Sequence, residues 1–302
     1  MRQSLIDFFK NTVVLRYKLP NNELDINKST YTNVDNDFCY NIVGNDDKLV
    51  ELIVNSIVDY SYNDNELADK DIIKKHFSAI RNRLRYEEDD DIETKEKYGF
   101  YGEVILNLLL QIHFHTSAII AKGCFYDILS PAENKGFDSF HIIEENDQML
   151  LWFGETKFHQ TYSSALESIF ENIEKAISSG YFFKNLLAME NKLNSLNIQG
   201  SKINELIEEI SDDPQITIHN LVTKYNLKLI YPILIICNTT YNTYDTTIKR
   251  IIDKIKNDYQ GKTLNLGFEY ELFFILLPVS NSKQIKLNVI QWIESKKPLT
   301  LL

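Results

Sequence analysis

Two stretches near the end of the chain, residues 227–237 (LKLIYPILIIC) and 268–279 (FEYELFFILLPV), are apolar at odd and even positions alike. A strand with one wet face alternates polar and apolar side chains, so a run apolar on both faces must be covered on both. Helical periodicity follows each of them, over 246–257 and 287–293. Strands alternating with helices predict an α/β protein, a central sheet with helices on its two faces. At 302 residues, 44% hydrophobic and 25% charged, the chain is large enough to bury about three quarters of its unfolded surface. Disordered and collagen-like architectures are excluded.

Upstream, apolar residues recur at three and four spacing in 48–62 and again in 69–86, which predicts two amphipathic helices. The acidic run Glu87 to Asp91 self-repels and marks an exposed linker, with a boundary between a mostly helical extension (1–90) and a second domain (91–302). The arrangement of 1–45 is left open. A largely apolar helix is expected over 98–115, and then the period shortens. AIIA, FDSFHIIEE and QMLLWFGETKFH read as strands, with a hairpin turn at 145–148. Helical pattern returns after Tyr162 and around 186–193 and 203–207.

The net charge of -11, from 32 basic and 43 acidic residues, repels a polyanion on average and disfavours a free-standing nucleic-acid binder. Cys39, Cys124 and Cys237 are far apart and form no CxxC pair, so neither a disulfide framework nor a structural zinc site is expected. A reducing cytoplasm fits best, with no leader and no membrane span expected. Gly261-Lys262-Thr263 lacks the glycine that a phosphate loop needs five residues earlier, and no GxSxG or HExxH occurs. His113 and His115 would diverge on a helix and are expected to be packing residues rather than metal ligands.

The chemistry concentrates at Glu155-Thr156-Lys157. Glu-x-Lys occurs five times, beginning at Glu93, Glu133, Glu155, Glu190 and Glu294, and four of these serve as controls. Glu93-Thr94-Lys95 is the identical tripeptide, but a solvated acidic linker explains it. Glu155 instead closes a strand, 149–158, that is apolar on both faces up to that point. Charges at the end of a buried strand cost several kcal/mol unless partners or a metal meet them. Glu155 and Lys157 share a face, and Thr156 turns away while its carbonyl stays on the edge. A hairpin centred between Asn146 and Asp147 sets Asp138 opposite Glu155, and cross-strand Cβ atoms lie about 4.5–5.5 Å apart.

Two carboxylates so placed can share one Mg²⁺ or Mn²⁺. Glu103, flanked by Gly102 and several apolar turns, adds a third acid. These residues predict a metal-dependent phosphodiesterase: Asp138, Glu155, the Thr156 carbonyl and Glu103 hold the metal, and Lys157 positions water or neutralises charge on the phosphorane. A structural reading stands beside it, an Asp138–Lys157 salt bridge with Glu103 capping or pairing with Lys135 or an arginine.

At Gly102-Glu103, Lys135-Gly136-Phe137-Asp138 and Gly154-Glu155-Thr156-Lys157 the chain resembles the PD-(D/E)xK nuclease superfamily, with Phe137 where that motif usually has proline. More narrowly, it is similar to the HamA effectors of the bacterial Hachiman antiphage system. The resemblance implies a mixed central sheet of restriction-endonuclease type with a helical N-terminal extension. It also implies catalytic Asp138, Glu155 and Lys157, with Glu103 upstream. The implied function is DNA cleavage in phage defence, held in check by a partner helicase, HamB, until that helicase engages DNA. Delivery by a partner reconciles the acidic chain with a DNA substrate. Arg81, Arg83 and Arg85, or Lys249 and Arg250, are candidate contacts to DNA or partner, or else solvated helix faces. Two further functions are a non-catalytic regulatory subunit of a helicase complex and a site-specific restriction enzyme.

Overall fold

The computed structural model describes residues 1–20, 36–68, 70–122, 136–145, 147–176, 178–190, 201–213, 215–239, 243–259 and 269–296. Cys124, Gly261–Thr263 and the whole Glu-x-Lys triplet from Glu133 to Lys135 lie outside these residues, as do the last two residues of the triplet that begins at Glu190.

The apolar run at 227–237 forms β7 (Leu227–Asn238), buried from end to end until Asn238, and the second forms β8 (Tyr270–Val279). They pair in parallel along their length, from Leu229 opposite Tyr270 to Asn238 opposite Val279. The covering helices include α6 (Phe100–Leu108), α7 (Tyr162–Ala176), α11 (Tyr244–Tyr259) and α12 (Ser282–Glu294). Among them α6 and α12 pack on β7, and α7 and α11 lie against β7 and β8 respectively.

The hairpin is β4 (His141–Glu145) and β5 (Gln148–Trp152), paired from Glu145 opposite Gln148 to His141 opposite Trp152. This is the register centred between 146 and 147. The expected single strand 149–158 is interrupted: β5 ends at Trp152 and β6 covers Glu155–Phe158. The cause lies on the neighbouring strand. Phe153 donates its N–H to the Ile230 carbonyl at 3.1 Å, so a regular parallel ladder would next bring an N–H from residue 232 to the Phe153 carbonyl. Residue 232 is proline and has none. The register survives the break, with Met149 opposite Leu227 before it and Glu155 opposite Ile233 after it.

The first ninety residues do more than add helices. After α1 (Gln3–Thr12), β1 (Val13–Pro20) and β2 (Asn36–Ile42) pair antiparallel, and β2 joins β8 in parallel through Phe38 and Cys39. Asp37 reinforces that seam, its buried side chain accepting the Phe274 N–H at 2.8 Å. With β3 (Ser117–Ala118) on β4, the described residues form one eight-stranded mixed sheet of order β1-β2-β8-β7-β5-β4-β3, with β6 on β7 beyond β5. The two helices predicted before the acidic linker are α2 (Asp46–Ser61) and, after the short α3 (Asp64–Leu67), α4 (Ile72–Asn82). The apolar residues of α2 belong to the same core as those of β7 and β8. After α5 (Ile92–Glu96), the expected helix over 98–115 is α6 followed by a π-helical turn at Leu109–His113. The remaining helices are α8 (Ser179–Glu190), α9 (Lys202–Asp212) and α10 (Ile218–Tyr225). No helix among the described residues is long and apolar enough to cross a membrane.

Candidate active site

Gly154 follows Phe153, whose N–H faces β7, so by strand alternation the main-chain groups of Gly154 face the other neighbour. Its carbonyl accepts the Asp138 N–H at 2.9 Å and its N–H donates to Ser139 Oγ at 2.8 Å. Glycine is required there, since a Cβ would come within 2.7 Å of the Pro232 carbonyl and 2.8 Å of its ring. Asp138 then closes the clasp through its side chain, Oδ2 accepting the Thr156 N–H at 2.7 Å. One residue is thus bonded on both sides of Glu155, which is how a loop acid reaches the start of β6.

Along β6 burial alternates, with Thr156 and Phe158 inside and Glu155 and Lys157 partly exposed on one face. Thr156 packs on α6 where Gly102 leaves room, a methyl at Gly102 falling 2.8 Å from Thr156 Oγ1. On the open face, Lys157 Nζ donates to Glu155 Oε1. Glu155 retains about a fifth of its side-chain exposure, yet burial and then the charge of Asp138 push its carboxyl up to about 7, against the pull of Lys157 and Lys122. Burial draws the Lys157 ammonium down, but Glu155, Asp138 and Glu103 outweigh it and leave its pKa above the ordinary lysine range. The salt bridge that forms here is Lys157 with Glu155, where the structural reading had paired Lys157 with Asp138.

Asp138, Glu155, Thr156, Lys157 and Glu103 all line one cleft of about 1020 Å³. Glu103, in the first turn of α6, accepts a hydrogen bond at Oε2 from the Tyr60 hydroxyl of α2. Among the described residues no three His, Cys, Asp or Glu side chains are grouped closely enough to hold an ion. The donor set nevertheless suits a hard cation: two neighbouring carboxylates, one of them kept from ionising freely by the other, on a strand whose main-chain carbonyls add oxygen. Asp138 and Glu155 are the pair that would hold it, with the Thr156 carbonyl beside them.

Sequence reasoning missed several residues of this cleft. Lys286 of α12 donates to the Phe158 carbonyl at 2.7 Å and the Glu96 carbonyl at 3.0 Å, and its burial lowers its pKa to about 8. Lys122 donates to the Phe137 carbonyl. His159 follows β6 and stays in its ladder, its N–H bonded to the Ile236 carbonyl at 3.0 Å. Two further positions in strand alternation place it on the face of Glu155 and Lys157. Tyr181 of α8 also lines the cleft, its hydroxyl pushed up to about 12 by burial and then by Glu155 and Asp138. The acid-lysine-histidine spacing was readable in GETKFH, whereas Lys286, 128 residues beyond Phe158, carries no local signal.

His113, Arg83 and Lys95 are engaged within the fold. His113 packs edge-on against the rings of Phe38 and Tyr40. Arg83 pairs with Glu66 at 2.9 Å. Lys95, expected on a solvated surface, is 3% exposed and bonds Glu294 and the Glu88 carbonyl, each at 2.7 Å. Lys249 and Arg250 lie exposed on α11.

No curated protein and no solved structure matches the chain. The HamA family profile does match, over residues 7–293, a span that takes in all eight strands, Tyr60 of α2, the Asp138 clasp and Lys286. From β1 at one edge to α12 at its C-terminal end, the chain belongs to the HamA family.

Proposed function

We propose that the protein is a divalent-metal-dependent DNA nuclease of PD-(D/E)xK type, the effector of a Hachiman antiphage system, restrained by a HamB helicase partner until that partner engages DNA. The observation that carries the chemistry is the pair of hydrogen bonds by which Asp138 brackets Glu155, its N–H given to the Gly154 carbonyl and its carboxylate accepting the Thr156 N–H, which brings two acids and an amine to one cleft. HamA membership supports the defence role.

Asp138 and Glu155 are the residues that would hold Mg²⁺ or Mn²⁺, with the Thr156 carbonyl as a neutral donor and Glu103 reaching it directly or through water. When bound, the ion supplies Lewis-acid polarisation of a phosphodiester and lowers the pKa of water beside it. Lys157 carries a positive charge at neutral pH and faces the same cleft, so it orients the attacking water or offsets negative charge growing on the phosphorus oxygens. Lys97, Lys122, Lys175, Lys283 and Lys286 join Lys157 in lining the cleft, where Glu93 and Glu96 join its three acids, so the lining is close to neutral in a chain of net charge -11 and repels a phosphate backbone less than the chain as a whole.

A second reading, a non-catalytic subunit that regulates a helicase, is favoured by one observation. The cluster already satisfies itself without an ion, Lys157 donating to Glu155 and Thr156 to Asp138. A nuclease assay of the protein with its helicase partner decides between them. DNA degradation that needs Mg²⁺, stops with chelator and falls about 10²–10³-fold in Glu155→Ala and Lys157→Ala, with assembly intact, is the expected result. Undiminished cutting by both variants rejects the site.

A further inference from the structure

The acid farthest from β6 in sequence is also the most deliberately held. Glu103 donates its N–H to the Gly99 carbonyl at 3.4 Å, and its side chain folds back over the same residue. A methyl group at Gly99 would stand 2.6 Å from Glu103 Oε1, closer than any unshifted Cβ contact allows, so the rotamer exists because residue 99 has no side chain. The other oxygen, Oε2, takes the hydroxyl of Tyr60, which arrives from α2, 43 residues upstream. Tyr60 is 5% exposed, so its hydroxyl reaches the carboxylate from inside the fold. A buried tyrosine hydroxyl given to a carboxylate is a charge-assisted, directional contact.

We propose that Tyr60 is a positioning residue: its hydroxyl, opposite the space left by Gly99, fixes the Glu103 carboxylate on the cleft wall, so that the third acid of the site is aimed from the N-terminal part of the chain. This inference rests on the nuclease reading of the cleft. Tyr60 does not itself line the cleft and acts through Glu103, which sets its consequence apart from that of Glu155 or Lys157. Gly99→Ala displaces the same carboxylate from the other side.

The test uses the full-length protein as wild type, Tyr60→Phe, Gly99→Ala, Glu103→Gln and the Tyr60→Phe/Glu103→Gln double variant. Mn²⁺ binding is read by titration calorimetry, folding by thermal unfolding, and the Glu103 rotamer by crystal structures of wild type and Tyr60→Phe. Tyr60→Phe and Gly99→Ala should each weaken Mn²⁺ binding about tenfold, the usual effect of removing a residue that orients a ligand. Tyr60→Phe should add nothing in the Glu103→Gln background, and its crystal structure should show the carboxylate swung off Gly99. Wild-type affinity in Tyr60→Phe, or a further loss on top of Glu103→Gln, overturns the proposal. So does a Glu103 side chain unmoved in Tyr60→Phe. Absence of any Mn²⁺ heat from the wild type rejects the metal reading instead, and the crystallographic comparison still decides whether Tyr60 sets the rotamer.

Discussion

Gly154 and Pro232 face each other across the β6–β7 seam, the one without a side chain and the other without an N–H, and together they open the ladder just before Glu155. On the side away from Pro232, Gly154 bonds Asp138 and Ser139, so the site is clasped at the point where the β7 ladder lacks a bond.

Gly154→Ala should therefore harm both stability and site. Its methyl would meet main-chain oxygen at 2.7 Å, which only a backbone shift relieves. A cost of about 1–3 kcal/mol in denaturant unfolding is expected. A fully stable Gly154→Ala protein would show that the close approach is unimportant.

Asp138→Asn should remove metal-linked stability while leaving the fold. With Mn²⁺ at a hundred times its dissociation constant, the wild type gains about 2.7 kcal/mol by mass action. The variant keeps an acceptor for the Thr156 N–H but loses the charge, so its melting temperature should no longer respond to Mn²⁺ or to chelator. An equal response in both proteins would place the ion elsewhere.

Glu155 makes the metal-free protein sensitive to pH. Its native value of about 7 lies above the ordinary 4.5, so the native state binds more protons than the unfolded chain between those values. By linkage, stability is greatest below 4.5 on this account and declines as pH rises to about 7. His141 and His76, held neutral with values near 3 and 4 by burial, act oppositely and destabilise as pH falls below 6.5. Both are common to wild type and Glu155→Gln, so the difference between their urea midpoints across pH isolates Glu155. Parallel profiles would refute the raised value.

Lys286→Met keeps the volume of a long side chain and removes the ammonium that ties α12 to the carbonyls of Phe158 and Glu96. Leaving those carbonyls without that donor should cost about 1–3 kcal/mol. The end of β6 should also loosen, read as faster amide exchange at Phe158 and His159 than at β8. Unchanged exchange would mean that the end of β6 is secured without Lys286.

What the sequence revealed follows the range of the forces involved. The pairing of Asp138 with Glu155 was legible because a tight turn and a period of two fix a hairpin locally, and Asp138 indeed bonds on both sides of Glu155. The alternation within ETKF was equally local, as was the covering of β7 and β8. The break after Trp152 was not, since its cause is a proline 79 positions beyond Phe153. Glu93-Thr94-Lys95 misled for the same reason: Lys95 is buried because Glu294 comes back to meet it from 199 residues away. Residues 1–45 hid two strands because an edge pair anchored by Asp37 on Phe274 depends on a partner that only the folded chain supplies.

That anchor constrains how the protein can be dissected. A chain trimmed to begin at Asp91 would lack β1 and β2 and bare the flank of β8, a ten-residue strand of mostly greasy side chains, as an open margin inviting strand-to-strand clumping. The cleft is thus not a detachable cartridge, because the sheet that carries it runs on into the opening ninety residues.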